Sequence, residues 1–402
     1  MNELSSLGLI LLFALAAGHL VKFLRIPEVT GYILAGVAVG PSGLGWVSPE
    51  NLSTLEIFSE VALGLILFSI GSIFEIQRAR QVGPAVLRVT ASESILAAFL
   101  VSATMLIMGQ SWQVSLLLGA IAMATAPAST LMVIREQNAS GPLTDTLLGV
   151  IGVNNILCLI AFLLAGTIID LSSVGSSGEI LETLYRSTYM FIWKTAGSMA
   201  LGFLVGLLLA AWATRVTEQG EVLILFTGCV LLCVGAAMVL DLSTLIASLA
   251  VGTTMANLSA HTRRIVNTIG RSDPPFYAIF FVIAGAGLDL SLIGSLGVLG
   301  LVYVAARATG KVIGARVGAQ KAGLDSVVRT YLGFGLMAQA GLAIGLMLTV
   351  DKLYPELAPA VSTVVLAAVT ISEIIGPIAA RIAIDRSGES RPHEFDLAGG
   401  VE

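Results

Sequence analysis

Apolar runs of about 20 residues, separated by short polar gaps, fill nearly the whole chain. A helix needs that length to cross the hydrocarbon of a bilayer, where the backbone must satisfy its own hydrogen bonds. Thirteen such segments can be placed, near 4–22, 29–45, 55–74, 84–108, 113–134, 143–170, 187–213, 221–240, 242–258, 275–289, 292–318, 327–350 and 357–384. The second is rich in glycine and the tenth is short, which leaves either open to being tilted, broken or re-entrant. Composition fits the same solvent: 12% of the 402 residues are charged and 56% hydrophobic, against about 25% charged in soluble domains. So few charges cannot coat a soluble protein of this size. The runs are continuous rather than alternating, which excludes a transmembrane β-barrel. The expected fold class is therefore all-α, a polytopic membrane protein of about 13 transmembrane helices whose first partner is the lipid bilayer.

Disorder is excluded by the high hydrophobicity. A net charge of −5 without a basic stripe excludes nucleic acid as a partner. The first apolar stretch is too long for the core of a secretory signal and lacks a small-residue cleavage site, so it is read as a retained helix. Cys158, Cys229 and Cys233 all lie inside apolar runs and are read as packing residues, not as disulfides or metal ligands. There is no nucleotide-binding fingerprint, so no cofactor is expected, and neither an enzyme nor an ATP-driven pump is implied. His19, His261 and His393 do not cluster, and no metal site is expected beyond a transported ion.

Lys and Arg residues accumulate in alternate connections. With the N-terminus outside, sixteen of the 21 fall on the cytoplasmic side, from Lys22 and Arg25 to Arg386 and Arg391. Arg186, Lys194 and Lys352 fall outside, and Arg307 and Lys311 lie within the eleventh span. Because cytoplasmic loops retain positive charge, this distribution predicts a multi-pass protein of the cell's inner (plasma) membrane, N-terminus outside and C-terminus cytoplasmic. Residues 1–386 read as a single transmembrane unit and 387–402 as a polar cytoplasmic tail.

Two spans carry helix-breaking punctuation. In the fifth, near 113–134, Pro127 follows Ala124-Thr125-Ala126 in mid-membrane, where it removes a backbone donor and disfavours helix just before it. In the twelfth, near 327–350, Gly333, Gly335, Gly341 and Gly345 surround Met337-Ala338-Gln339-Ala340 and weaken the helix around a polar amide. Interrupted spans in corresponding places of two halves point to a transporter built from inverted repeats, with its substrate at the crossing of two discontinuous helices. The following spans also run parallel, Gly152 to Leu157 against Thr370 to Ile375, which pairs Asn155 with Glu373.

These residues resemble a known family. Arg25-Ile26-Pro27, Gly31 to Gly36 and Gly40-Pro41-Ser42 look like the second-helix motif of the bacterial monovalent cation:proton antiporter superfamily, in the branch of sodium/proton antiporters and potassium efflux systems. Glu60 to Gly71, Thr125-Ala126-Pro127, Phe280-Phe281-Val282, Ala338-Gln339-Ala340-Gly341 and Glu373-Ile374-Ile375-Gly376-Pro377 follow in the family's order, over essentially the whole membrane portion. The resemblance implies a homodimer, dimerisation and core subdomains interleaved in sequence, and an elevator-like alternation of access. It also implies that a monovalent cation and a proton are the transported ligands.

One position departs from the family. Its sixth helix usually carries Asp-Asp or Asn-Asp, the second aspartate binding cation or proton, whereas this chain has Asn154-Asn155. An asparagine amide can ligate a cation weakly but does not titrate in a useful range. Arg307 or Lys311 corresponds to the family's basic residue, and two asparagines neutralise neither. An intramembrane charge calls for a partner or a function. Lys311 is expected to snorkel to the cytoplasmic interface, and Arg307 either to bond broken-helix carbonyls or to pair with Glu93. Glu93 and Glu373, embedded in apolar sequence, are the candidate coupling carboxylates together with Lys311. Glu60 and Glu75 are read as interfacial, and Asp145, Asp241, Asp289 and Asp351 as residues of span ends. The candidate ion-binding set is thus Asn154, Asn155, Thr125, Gln339 and Arg307, with Pro127 and Gly341 marking the breaks. The leading reading is a secondary active antiporter of Na+ or K+ against protons. The alternatives are a proton-uncoupled cation uniporter or an anion or neutral-solute carrier, and a transport-dead protein, including one disabled by replacement of aspartate with asparagine.

Overall fold

The computed structural model describes residues 3–24, 26–72, 76–173, 189, 192–216, 218–258, 274–288 and 297–391. All their regular secondary structure is helical: α1 (Glu3–Phe23), α2 (Glu28–Val39), α3 (Pro49–Gly71), α4 (Ile76–Ile107), α5 (Trp112–Ala122), α6 (Pro127–Glu136) and α7 (Pro142–Ser173). A π turn, Trp193–Gly197, leads into α8 (Ser198–Ala213), followed by α9 (Gln219–Val239), α10 (Thr244–Leu258), α11 (Pro274–Ala286) and α12 (Gly297–Lys321). α13 (Ser326–Tyr331) tightens into a 3-10 turn, Leu332–Leu336, and α14 (Gly341–Leu353) and α15 (Ala358–Ser387) complete the order.

Among these, seven helices are long and apolar enough to cross a membrane, or eight with the bent pair Ser326–Leu336 and Gly341–Leu353 taken as one span. Five further apolar helices are of 10–17 residues. The multi-pass all-α class holds, while the count of thirteen full crossings remains an expectation from hydropathy. Asp289, Glu75, His261 and His393 lie outside the described residues.

The chain divides into two compact units interleaved in sequence, with boundaries inside α1, α2, α4 and α7. The first comprises Met1–Leu15, Ala35–Gln81 and Asp170–Gly287. Its core joins Leu65 and Phe68 of α3 with Leu209 of α8, Phe226, Val230 and Cys233 of α9, and Val251 and Met255 of α10. The Phe68 and Phe226 rings meet edge to face at 4.6 Å. α10 approaches α3 so closely that a methyl group on Gly252 would strike the Phe68 carbonyl. Small residues of this kind let membrane helices gain dispersion contact where no hydrophobic force drives them together. Cys229 and Cys233 are part of this packing and carry no disulfide.

The second unit comprises Ala16–Leu34, Val82–Ile169 and Leu288–Glu402. It holds both interrupted helices. One apolar cluster surrounds α5, with Leu117, Leu118 and Ile121 packed on Phe162, Tyr303, Met347 and Val365. Another joins Val86 and Val89 of α4 to Leu147 and Val150 of α7, Ala315 of α12 and Leu332 and Leu336 of the 3-10 turn. Glycines 310, 314 and 318 of α12 recur every fourth residue along the face toward α4. A Cβ on Gly314 would lie 2.6 Å from the Glu93 Cα. The small-residue stripe therefore sets how close the two charged helices come.

The start of the expected polar tail makes defined contacts. Gly388 ends α15 in the left-handed conformation. Next to it, the Glu389 carboxylate accepts hydrogen bonds from the backbone N–H of Leu143 (2.6 Å) and Thr144 (2.8 Å) and from the Thr144 hydroxyl (2.7 Å). These are unpaired donors of the first turn of α7, where a carboxylate is favoured by the helix dipole. Residues 392–402 lie outside the described set.

Candidate functional site at the helix breaks

Proline opens the first gap and glycine the second. α5 stops at Ala122, and α6 begins with Pro127 in its first turn, the place where a missing N–H costs no hydrogen bond. Downstream, the helix is bent by 47° between Leu336 and Gly341, with Ala340 as the N-cap of α14. The gaps meet: Ala126 N donates to Ala338 O at 3.0 Å, and Gln339 Nε2 donates to Ile121 O at 3.0 Å. Thr130 Oγ1 adds a bond to Gly335 O at 3.0 Å. Gly376 of α15 abuts Ala338 with no room for a side chain, its would-be Cβ lying 2.6 Å from the Ala338 Cα.

Ending two helices inside the protein leaves carbonyls without partners and collects negative partial charge. Arg307 answers this. Its guanidinium donates to Ala122 O (3.0 Å), Ala124 O (2.7 Å), Met337 O (2.6 Å) and Ala338 O (3.2 Å), which staples both gaps with one planar fork. Gln339, besides its bond to Ile121, donates to the Tyr303 hydroxyl at 3.2 Å. Tyr303 and Arg307 are one turn apart on α12.

Lys311, the next turn of α12, does not snorkel. It is fully buried, with Nζ 2.7 Å from Glu93 Oε2, 2.6 Å from Met123 O and 2.9 Å from Thr125 Oγ1. The alternative pairing of Glu93 with Arg307 is not formed, because Gly310 and Gly314, which flank Lys311, bring that turn of α12 and not the Arg307 turn against Glu93. Arg307 takes the other expected role, on the carbonyls. Glu93 Oε1 accepts from Ser94 Oγ (2.7 Å) and from Asn154 Nδ2 (2.5 Å), and Asn154 Nδ2 also donates to Ser94 Oγ (2.8 Å). One ammonium, one amide and one hydroxyl thus surround the carboxylate.

The two asparagines face different ways. Asn154 is buried and its amide nitrogen is committed to Glu93, while its Oδ1 finds no donor among the described residues. Asn155 is half-buried, and its Oδ1 accepts from Thr125 N at 3.4 Å, a long bond at the first gap. Gln339 Oε1 is a second buried amide oxygen with no donor among the described residues. Glu373 stands apart from the Glu93 pair, on α15, with Ser129 Oγ 3.2 Å from both of its oxygens. The structure therefore gathers Asn154, Thr125, Lys311 and Glu93 into one cluster, sets Asn155 beside it, and puts Arg307 and Gln339 on the gaps.

Three participants were not singled out by sequence: Ser94, Ser129 and Tyr303. Their signals were present but weak, a serine directly after a buried glutamate, a serine two residues after Pro127, and a tyrosine one turn before an intramembrane arginine. Elsewhere Asp241 pairs with Lys194 at 3.4 Å, Asp351 accepts from Ser362, and Asp145 lies in the first turn of α7. All three stand near helix ends. Glu60 lies inside α3, half-buried, and accepts from Thr244 at 3.4 Å. Among the described residues no group of three His, Cys, Asp or Glu side chains could hold a metal ion.

The chain as a whole is similar to known proteins. A 25% identical relative over 291 residues, 72% of this chain and 71% of its own, is the ammonium/H(+) antiporter subunit AmhT of Alkalihalophilus pseudofirmus. Two structures of the sodium proton antiporter MjNhaP1 from Methanocaldococcus jannaschii share the fold, with TM-scores of 0.70 and 0.74 at 18% and 17% identity. They cover 96% and 97% of this chain and 98% and 99% of theirs. Residues 8–383 match the family described as sodium/hydrogen exchanger, transmembrane. With nearly the whole chain inside that match, the protein belongs to the sodium/hydrogen exchanger family of cation:proton antiporters.

Proposed function

We propose that the protein is a secondary active transporter that exchanges a monovalent cation for protons by alternating access, and that the cation and Lys311 compete for Glu93. The observation that carries this reading is the buried Glu93–Lys311 pair, anchored at the first helix gap through Met123 and Thr125 and held from the other side by Asn154. An ion pair so placed is a poor means of stability and a good switch, because removing one partner leaves a charge that demands another. A cation ligated by Glu93 replaces the Lys311 ammonium, which gives up its proton. Departure of the cation restores the pair. The site charge is the same in both states, so exchange at Glu93 itself is one for one. Asn155 and Thr125 offer neutral oxygens for the cation's remaining ligands.

Na+ and K+ are the cations proposed, and the activity named for AmhT adds ammonium to those worth testing. The second unit, which contains both gaps, is proposed as the moving core, and the first as the dimerisation part of a homodimer. The Lys and Arg distribution supports a plasma-membrane protein with its N-terminus outside and C-terminus in the cytoplasm.

The test is a set of cation pulses applied to proteoliposomes that hold a pH gradient, read with a pH-sensitive dye. Na+ or K+ is expected to dissipate the gradient, and ammonium to compete with whichever does so. Cation flux with no proton movement would replace antiport by the uncoupled carrier. No flux of any cation would overturn the transport reading.

A further inference from the structure

The exchange at Glu93 leaves a second buried carboxyl group unused. Glu373 lies in the middle of α15 and is 3% exposed. Its oxygens are each 3.2 Å from Ser129 Oγ, and among the described residues no cation pairs with it. Several charged groups on the elements packed against α15 are committed elsewhere. Arg307 is on the gap carbonyls and Lys311 on Glu93. Arg381 of α15 itself reaches Glu136 at the end of α6 and Asp385, and Arg329 of α13 is held on Leu324 O. On α14, Asp351 takes Ser362.

The place of Glu373 in the fold matters as much as its isolation. Ser129 is two residues past Pro127, in the first turn after the first gap. Gly376, one turn beyond Glu373 on α15, rests on Ala338 inside the second gap. The carboxyl therefore sits between the two interruptions. A lone buried carboxylate is costly, whereas a carboxylic acid can donate one hydrogen bond to a hydroxyl and needs no cation.

We propose that Glu373, seated on the Ser129 hydroxyl between the two helix gaps, is a second proton-binding position that empties when a cation enters at Glu93. This rests on the antiport reading above and adds a proton to it. The O–H bond of Glu373 breaks and the proton leaves to water; Lys311 has already offset the charge of the cation, so the loaded core is left one charge more negative than the empty one. The exchange then moves one more proton per cation than the Glu93–Lys311 pair supplies alone.

The experiment counts protons released when Na+ or K+ is added to the detergent-solubilised full chain in weakly buffered solution, with bound cation measured in parallel. Glu373→Gln, which keeps the shape and a hydrogen bond to Ser129, is expected to bind the same cation and release one proton fewer per cation. An unchanged count would overturn the proposal while leaving antiport at Glu93 intact. Should Glu373→Gln not fold, Glu373→Asp and Ser129→Ala take its place: both are expected to shift the pH dependence of the release, and an unmoved profile in both would equally overturn it. A wild-type protein that binds cation and releases no proton fails the antiport reading first, and this inference with it.

Discussion

At the residue scale, the question raised by Asn154-Asn155 is where the missing charge went. The structure puts a carboxylate in reach from another helix. Glu93 comes from α4, 2.7 Å from Lys311 and 2.5 Å from the Asn154 amide. Asn154 then serves as a donor to that carboxylate, a role aspartate could fill only when protonated. Neutralising one member of a buried pair leaves the other uncompensated, at about 3–5 kcal/mol, whereas replacing both with apolar groups of similar shape is often neutral. Glu93→Gln is therefore expected to lower the unfolding midpoint in detergent markedly, and adding Lys311→Met is expected to restore most of it without restoring transport. A double variant no more stable than the single one would show that the two charges are not coupled. The sequence exposed Glu93, Lys311 and Arg307 as charges needing a reason, because apolar neighbours made them conspicuous. It could not say which cation meets Glu93. That choice is one helical turn of α12, and a span boundary read from hydropathy is not defined to one turn.

At the element scale, the interruptions were the most legible part of the site. Proline and clustered glycine act on the backbone locally, so Pro127 and Gly341 mark α6 and α14 from sequence alone. The bond from Ala126 to Ala338 is a tertiary fact with no local sign. The glycine stripe of α12 lies between these cases: its spacing is visible, but its partner is not. Gly314 decides how near α12 lies to α4, since a Cβ there would meet the Glu93 Cα at 2.6 Å. Gly314→Leu is expected to cost about 1–3 kcal/mol through overpacking. It should also reduce transport strongly with Glu93 and Lys311 both in place, measured as cation-driven dissipation of a pH gradient beside a thermal melt. Transport at the wild-type rate in that variant would mean that helix spacing does not set the pair.

At the scale of the whole molecule, the class was readable because a chain with 12% charge has no soluble solution. The two interleaved units were not readable in their boundaries, four of which fall inside helices where hydropathy does not change. Nor was the anchoring of Glu389 on α7, since a lone glutamate after a helix end has the same composition as a tail. The account makes one unit the site of exchange and one ion pair its centre. The most direct test compares wild type with Glu93→Gln in proteoliposomes of equal protein content, under the same imposed pH gradient and the same cation pulse. Wild type is expected to dissipate the gradient and Glu93→Gln to leave it standing. Dissipation by Glu93→Gln at the wild-type rate would contradict the assignment of exchange to the Glu93–Lys311 pair.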